Sequence, residues 1–279
     1  MSKKKIRWGY AVIYPGDLNI WKGDQLTNKL EFTARNNFKS LQLSLDECRA
    51  PERLPQVVDF IQAHDIDIVV GCHLDLQSSD KDARRRKVDT FLENLRTYGP
   101  SLRVPIVTTG TPMQRFMRSP SLEEQMDLMA DGLADLAKGC HELGRPLGIE
   151  NHGNHYCSDL VTLCKRVPHL NIFLDTGNCY LIGEKPGPAC REAAPYTIGT
   201  HFKDHYVHPD PRELKFVIEG APIGEGDVGL REIYMDLIRL APNPEKLVMM
   251  WEMVPPKDMP TQECIDRSWA FCRSLPDPS

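Results

Sequence analysis

The sequence predicts a single-domain α/β fold, a closed (β/α)8 TIM barrel that spans residues 1–279. Runs typical of buried strands alternate with helix-period runs, and the number of predicted strands is eight. The length of 279 residues suits a fold that takes about 250. Chemically reactive side chains end several predicted strands, and the carboxyl ends of the strands form the active face of such barrels. An open, doubly wound sheet also alternates strands with helices, but the count of eight favours closure.

The first half of the chain carries four predicted strands, at residues 6–14, 40–45, 67–74 and 104–109. The first ends at Pro-Gly, the second alternates and ends at Asp-Glu, the third is the near-continuous apolar run Ile-Val-Val-Gly-Cys-His-Leu, and the fourth ends in Thr-Thr-Gly-Thr-Pro. Apolar residues at helical spacing predict helices at residues 26–36, 51–64, 80–98 and 121–143. Pro55 suits the start of the second helix, Ser121 precedes the acidic first turn of the fourth, and Gly144 ends the fourth.

The second half carries the other four predicted strands, at residues 146–150, 171–175, 196–201 and 247–252. Each is a short apolar run that ends at a side chain able to bind a metal ion. Helices are predicted at residues 158–167, 228–240 and 261–274. The longest predicted loop covers residues 203–227 and contains His-Pro-Asp-Pro and Pro-Ile-Gly-Glu-Gly-Asp.

The composition argues against two classes of partner. A formal net charge of −5 gives no general attraction to nucleic acid or to an anionic membrane, and we expect the basic runs at residues 3–5 and 84–87 to be solvated. No window approaches the roughly 18 apolar residues of a membrane-spanning helix, and no apolar segment follows the charged start of the chain. We therefore expect a cytoplasmic protein with no membrane partner.

The cysteines predict a reduced protein. There are nine, an odd number without a Cys-x-x-Cys pair, which favours free thiols over a disulfide framework. Those in or beside apolar runs, which we predict to be core residues, are Cys72, Cys140, Cys164 and Cys179.

Four predicted strands end in a candidate metal ligand. Glu150 ends Pro-Leu-Gly-Ile-Glu, Asp175 ends Asn-Ile-Phe-Leu-Asp, His201 ends Thr-Ile-Gly-Thr-His, and Glu252 ends Leu-Val-Met-Met-Trp-Glu. If these strands are neighbours in one parallel sheet, the four side chains converge at one rim. Burying three carboxylates together without a cation would be costly, so the sequence predicts a site for a divalent ion with three oxygen ligands and one nitrogen ligand.

The motifs Ile-Glu-Asn-His, Leu-Asp-Thr-Gly-Asn, His-Phe-Lys-Asp and Gly-Glu-Gly-Asp, in this order, resemble the xylose-isomerase-like barrel superfamily of sugar isomerases and epimerases. The resemblance implies that Glu150, Asp175, His201 and Glu252 bind one divalent ion, usually manganese, magnesium or cobalt, with zinc left open. It also implies that Glu150 and Glu252 act as an acid/base pair, as in the ketose 3-epimerases, on a small-molecule sugar substrate.

The chemistry of such a site fits these residue types. Abstracting a proton next to a carbonyl needs a base, and the resulting enediolate needs a cation on its oxygens. Two glutamates on opposite sides of a substrate would give epimerisation, whereas proton relay on one face would give isomerisation. His152, two residues after Glu150, is a further acid/base or substrate-contact candidate. The other candidate substrate-binding residues are His73, Asn178, Lys203 and Arg212. The aromatic residues Trp8, Trp21 and Phe116 could line an apolar wall, but core packing is the better interpretation for Trp8.

Three other functions stay open from the sequence. Barrels of this kind also include lyases that eliminate from a 3-keto-glycoside or dehydrate an inosose, and these share the proton-abstraction step. An apurinic endonuclease would need three zinc ions, and the second predicted strand ends in Leu-Ser-Leu-Asp without a histidine. A non-catalytic binding protein is the third, because fold does not fix function. A homo-oligomer is compatible with this fold.

Overall fold

The computed structural model describes residues 6–14, 22–78 and 80–278. Its strands are, in chain order, β1 (Arg7–Ile13), β2 (Ser40–Ser44), β3 (Asp67–Cys72), β4 (Val107–Thr109), β5 (Leu147–Glu150), β6 (Leu170–Asp175), β7 (Thr197–Phe202), β8 (His205–Pro209), β9 (Phe216–Gly220) and β10 (Val248–Met253). Strands β8 and β9 form an antiparallel hairpin. The other eight close into a parallel barrel in the order β1 to β7 and then β10, which pairs again with β1.

Helices surround the barrel. In chain order they are α1 (Gln25–Arg35), α2 (Leu45–Cys48), α3 (Leu54–His64), α4 (Lys81–Tyr98), α5 (Leu122–Glu142), α6 (Cys157–Arg166), α7 (Pro186–Ala193), α8 (Leu230–Leu240) and α9 (Thr261–Arg273). Across the described ranges, no helix is both long and apolar enough to cross a bilayer. The closed eight-stranded barrel confirms the fold class predicted from the sequence.

Two features differ from the prediction. Helix α7 lies in a stretch that begins Pro-Gly-Pro, which has low helix propensity, but proline suits a first helical turn and Ala189, Cys190 and Ala193 bury one face. The predicted loop at residues 203–227 contains the β8–β9 hairpin. Its strands are five residues long and largely exposed or half-buried, so they lack the apolar run of a barrel strand.

One of the two basic runs and one of the candidate aromatic residues, namely residues 3–5 and Trp21, lie outside the described residues. In the run at residues 84–87, three side chains are exposed on α4 as expected. Arg84 differs, because it is buried and pairs with Asp131 at 2.6 Å. Trp8 is buried and packs with its ring centroid 5.3 Å from that of Phe202, so it belongs to the core.

A small apolar layer fills the inside of the barrel below its carboxyl end. It consists of Val69, Ile106, Phe173, Val248 and Met250, with Ala11 and Ile198 packed against it. Gly199 makes room for this layer, because a Cβ atom there would lie 2.8 Å from the Phe173 ring. The Phe173 ring in turn lies edge-on to the His201 ring, with centroids 4.8 Å apart. The apolar layer therefore packs beneath His201, a candidate metal ligand.

Capping boxes fix where two helices begin. Ser121 and Glu124 exchange bonds at the start of α5, since the Glu124 carboxylate accepts from the Ser121 backbone N–H at 2.7 Å. Ser44 and Glu47 do the same at α2, directly after β2. The capping box at Ser121 therefore explains why the helix begins where the sequence predicted.

Asp204 organises the connection that follows β7. Its carboxylate is buried and accepts backbone N–H bonds from His205 (3.0 Å), Gly224 (2.9 Å), Gly226 (3.0 Å) and Val228 (3.3 Å). A Cβ atom at Gly226 would lie 2.3 Å from Asp204 Oδ1, so this close approach requires glycine. The motifs His-Phe-Lys-Asp and Gly-Glu-Gly-Asp are thus two halves of one structural contact.

Replacing this carboxylate should destabilise the protein. Asp204→Asn puts an amide donor against backbone donors, and we expect the free energy of unfolding to fall by roughly 2 to 3 kcal/mol. Urea unfolding measures the change. Asp227→Asn is the control, because Asp227 is exposed and its carboxylate accepts from one backbone N–H, that of Val207. Equal losses in the two variants would contradict the role assigned to Asp204.

Candidate metal centre

Four neighbouring strands bring the predicted ligands to one mouth of the barrel. Strands β5, β6, β7 and β10 are adjacent and parallel, and Asp175 is in register with His201. Phe173 and Met250 point into the barrel, so strand alternation points Asp175 and Glu252, two residues later, to the same side. The convergence at the carboxyl ends of the strands follows from the parallel topology.

The four side chains form one buried cluster. His201 Nδ1 lies 2.8 Å from Glu252 Oε2, 3.0 Å from Glu150 Oε1 and 3.9 Å from Asp175 Oδ2. One candidate ligand atom from each of the four lies within 4.8 Å of all the others. Three carboxylate oxygens and an imidazole nitrogen at this spacing can surround a divalent cation.

Gln42 on β2 orients the imidazole of His201. Its Oε1 lies 2.8 Å from His201 Nε2, and it accepts that N–H, which directs Nδ1 toward the carboxylates. Such a hydrogen bond on the far nitrogen is the usual support of a metal-binding histidine. Gln42 was missed by sequence reasoning because it lies in the middle of an alternating strand with no motif around it.

Within the cluster, the opposite charge of a neighbouring side chain shifts each pKa in the direction opposite to the shift caused by burial. Burial lowers the pKa of His201, but Glu150 and Glu252 raise it more strongly, to about 10 overall. Burial raises the pKa of Glu150 and of Glu252, yet hydrogen bonds and charge from His201 bring both pKa values below the usual range. Burial raises the pKa of Asp175 to about 6, although Lys203 acts in the opposite direction. A cation at Nδ1 would displace a proton, so binding should strengthen as pH rises.

Lys203 lies inside the cluster. Its Nζ is 2.7 Å from Glu252 Oε1, 2.9 Å from Asp175 Oδ2 and 3.2 Å from Asn178 Oδ1. With His201 neutral, three carboxylates and one ammonium leave two negative charges. A single divalent ion balances them, so the donor set fits such an ion even with the lysine in place.

Backbone groups hold Asp175 in position. Its Oδ1 accepts N–H bonds from Gly177 and Asn178, each at 2.9 Å, and this leaves Oδ2 facing the cluster. The Asn151 side chain joins the ends of β5 and β6, because it accepts from the Asp175 N–H at 2.7 Å and donates to the Asp175 carbonyl at 2.9 Å. Asn151 follows Glu150 directly, so one amide fixes the spacing of two candidate ligands.

Two predicted histidines line a pocket at the same mouth. His73 and His152 are both exposed and line a cavity of about 360 Å³ together with Gly110 and Thr111. His152 is close enough for its charge to act on Glu150. Asn178 is buried beside Lys203, and its Nδ2 has no hydrogen-bond partner among the described residues. The Nδ2 atom of Asn178 is therefore available to a ligand at the cluster, and the two histidines line a separate pocket.

Arg212 is not brought into this arrangement. It lies in the turn of the β8–β9 hairpin, its side chain is 86% exposed, and it pairs with Asp210 at 3.3 Å. The contacts of Arg212 in the described structure are with Asp210 and not with the cluster, so its role in substrate binding stays a prediction. Phe116 is 64% exposed and lies against Tyr156, with ring centroids 5.9 Å apart.

Tyr14 is a further residue that sequence reasoning missed. It follows β1, and burial together with the charges of Glu252 and Glu150 raises the pKa of its phenol. The phenol is therefore near the cluster, on the side of the barrel formed by β1. Only its position one residue past the end of a strand could have indicated this role.

The fold and the site define a parallel α/β barrel with a cluster able to bind a metal ion at the carboxyl ends of its strands. The chain belongs to the xylose isomerase-like TIM barrel family, whose family model matches residues 30–268. No curated protein sequence matches the chain.

Solved structures share the fold at low sequence identity. A D-tagatose 3-epimerase-like protein is 16% identical with a TM-score of 0.68, and the match covers 96% of each chain. A 3-keto-D-glucoside 4-epimerase from E. coli is 12% identical with a TM-score of 0.67, over 97% of this chain and 100% of that one. A Mycobacterium smegmatis protein of the same fold in complex with magnesium is 15% identical with a TM-score of 0.67, over 95% and 96% of the two chains.

Removing the support of His201 should weaken metal binding. Gln42→Leu deletes the acceptor for His201 Nε2, and we expect the Kd for Mn²⁺ to rise about 10- to 100-fold. Isothermal titration calorimetry measures the change. Gln62→Leu, on the exposed face of α3, is the matched control and should bind as the wild type does. An unchanged Kd in Gln42→Leu would exclude the orienting role.

Proposed function

We propose that the chain is a divalent-metal-dependent sugar isomerase or epimerase that acts by removing a proton next to a carbonyl. The observation that carries the proposal is the pair of carboxylates, Glu150 and Glu252, that lie 3.0 and 2.8 Å from His201 Nδ1. Their strands β5 and β10 are separated by two strands of the barrel, so the carboxylates approach a ligand from different directions. This arrangement suits removal of a proton from one face and delivery to the other.

The residues of the chain take distinct roles in this proposal. Glu150 and Glu252 exchange the proton with the substrate carbon. Lys203 and Asn178, side by side within the cluster, hold substrate oxygens. A bound manganese, magnesium, cobalt or zinc ion would be held by the four clustered ligands and would supply positive charge for the oxygens of a developing enediolate.

Several observations support a sugar substrate. The cluster lies at the carboxyl mouth of a barrel, where enzymes of this fold carry their active sites. Polar groups that can bind hydroxyls surround it, namely Tyr14, Asn178 and Lys203. The similar structures include a 3-keto-D-glucoside 4-epimerase and a D-tagatose 3-epimerase-like protein. A small keto sugar or keto-glycoside is therefore the substrate class that we propose.

A metal-dependent lyase is the second candidate function. It is favoured by His73 and His152, which line one pocket beside Glu150 and could take up or deliver a proton at a departing group. Such a lyase shares the first proton transfer with an epimerase, and the two differ in whether water or an aglycone then leaves.

An apurinic endonuclease receives less support. Of the described residues, the groups spaced to hold a metal ion include neither His73 nor His208. His208 lies exposed on the β8–β9 hairpin. A three-zinc centre would require such additional histidines next to the cluster.

Substitution of the two glutamates tests the acid/base assignment. Glu150→Gln and Glu252→Gln keep the side-chain shape but remove the base, and each should lower deuterium incorporation from D₂O into a keto-sugar or 3-keto-glycoside by at least about 100-fold. Mass spectrometry of Mn²⁺-loaded protein with a panel of such compounds measures the exchange. Glu142→Gln, at the exposed end of α5, is the matched control.

The same measurement separates the candidate functions. Deuterium uptake without loss of mass supports an isomerase or epimerase, whereas release of water or an aglycone supports the lyase. Full exchange in both glutamine variants would rule out the assignment of the two glutamates. Metal binding without exchange into any compound of the panel would favour a non-catalytic protein.

A further inference from the structure

A second cluster of metal-binding side chains lies next to the candidate centre, behind the ends of β5 and β6. Cys157 is the first residue of α6, Cys179 and Glu184 lie in the connection between β6 and α7, and Cys190 belongs to α7. All three thiols are buried and Glu184 is half-buried. Residues 22 apart in sequence, Cys157 and Cys179, have no motif that would have indicated their meeting.

The spacing of the cluster fits a tetrahedral ion. Cys157 Sγ and Cys179 Sγ are 3.9 Å apart, and one ligand atom each from Cys157, Cys179 and Glu184 lies within 4.8 Å of the other two. Zinc–sulfur bonds of about 2.3 Å place two sulfurs on a tetrahedral zinc about 3.8 Å apart. The buried Cys190 thiol lies near Cys179 but is not part of the group whose ligand atoms meet this spacing.

Glu184 has no cationic side chain paired with it in the described part of the chain. Its two carboxylate oxygens are each 3.1 Å from the backbone N–H of Cys157, and among the described residues it forms no salt bridge. Arg115 is the cation whose pKa responds to Glu184, but the Arg115 guanidinium is bound by Asp159 at 2.8 and 3.2 Å. A carboxylate without a salt bridge therefore lies against two buried thiols, and a cation bound by all three side chains would neutralise its charge.

We propose that Cys157, Cys179 and Glu184 form a second metal site that binds Zn²⁺ or another thiol-preferring divalent ion. The donor set separates the two sites, since thiolates select zinc while the carboxylate-rich barrel cluster suits manganese or magnesium. Binding converts the two thiols to thiolates and releases their protons to the buffer, with no change in oxidation state.

This ion would join the two connections that follow β5 and β6, the strands that end in the candidate ligands Glu150 and Asp175. Asn151 links the sites, because its Nδ2 donates to the Asp175 carbonyl at 2.9 Å and lies 3.9 Å from Cys179 Sγ. Cys157 is seven residues after Glu150, and Cys179 is four residues after Asp175. A metal ion at the second site would thus have a structural role, because it would hold these two connections together behind the candidate centre.

Cobalt substitution tests the proposal independently of activity. The full-length protein, with its thiols reduced, is titrated with Co²⁺, and a thiolate-to-cobalt charge-transfer band in the near ultraviolet is expected to saturate by two equivalents, because the barrel cluster can take up one of them. The barrel cluster has no thiol, so the band should persist in Glu150→Gln. It should be lost in Cys157→Ser and Cys179→Ser. Cys164→Ser is the matched control, because Cys164 is buried on the same helix as Cys157 and stands outside the cluster.

Each outcome decides the proposal. No charge-transfer band in the reduced wild type overturns it, as does a band that survives in Cys179→Ser. If the serine variants fail to fold, Glu184→Gln replaces them, because its amide oxygen still accepts from the Cys157 N–H. That variant should bind Co²⁺ at least about 10-fold more weakly. Unchanged affinity in Glu184→Gln would remove the carboxylate from the site and overturn the proposed ligand set.

Discussion

The burial of three carboxylates around one imidazole nitrogen is the constraint on which the rest of the site depends. Glu150, Asp175 and Glu252 lie at one mouth of a closed barrel, where solvent cannot fully neutralise their mutual repulsion. Lys203 supplies one positive charge at 2.7 and 2.9 Å, which leaves an excess of negative charge when His201 is neutral. An arrangement of this kind is stable only with a further cation or with bound protons. In the protein alone, the excess negative charge raises the pKa of His201.

The barrel meets this constraint through layers of support. Phe173 and its neighbours fill the interior below the cluster, and the Phe173 ring lies edge-on to His201. Gln42 reaches the far nitrogen of the same imidazole from β2, across the barrel from β6. Asn151 ties the ends of β5 and β6 together. Each contact removes freedom from a side chain that would otherwise turn away from its like-charged neighbours, so the cost of assembling the cluster is met during folding.

The sequence could predict the fold and the four clustered residues for one physical reason. Parallel strands in a barrel share a direction, so a polar residue at the end of an apolar run has a known position in space. Gln42 and Tyr14 escaped prediction because they have no such marker, and their role depends on contacts across the barrel. The hairpin that carries Arg212 was not predicted, because it depends on pairing between β8 and β9, which exposed, weakly apolar strands do not signal. Helix α7 was missed since its prolines favour a helix only at the first turn.

The two clusters also show why donor chemistry must be considered together with position. The sequence placed Cys179 in the core on hydrophobicity alone, and burial is what the structure shows. Hydrophobicity does not predict which residues surround a buried side chain. Cys179 lies beside Cys157, Cys190 and a carboxylate that has no salt bridge in the described chain. Oxygen-rich ligands face the open mouth, where a substrate could exchange with solvent, and sulfur ligands lie behind it among packed helices. Because Asn151 contacts both groups, a change in the order of the rear cluster would reach Asp175 through a single amide, without any contact with the substrate.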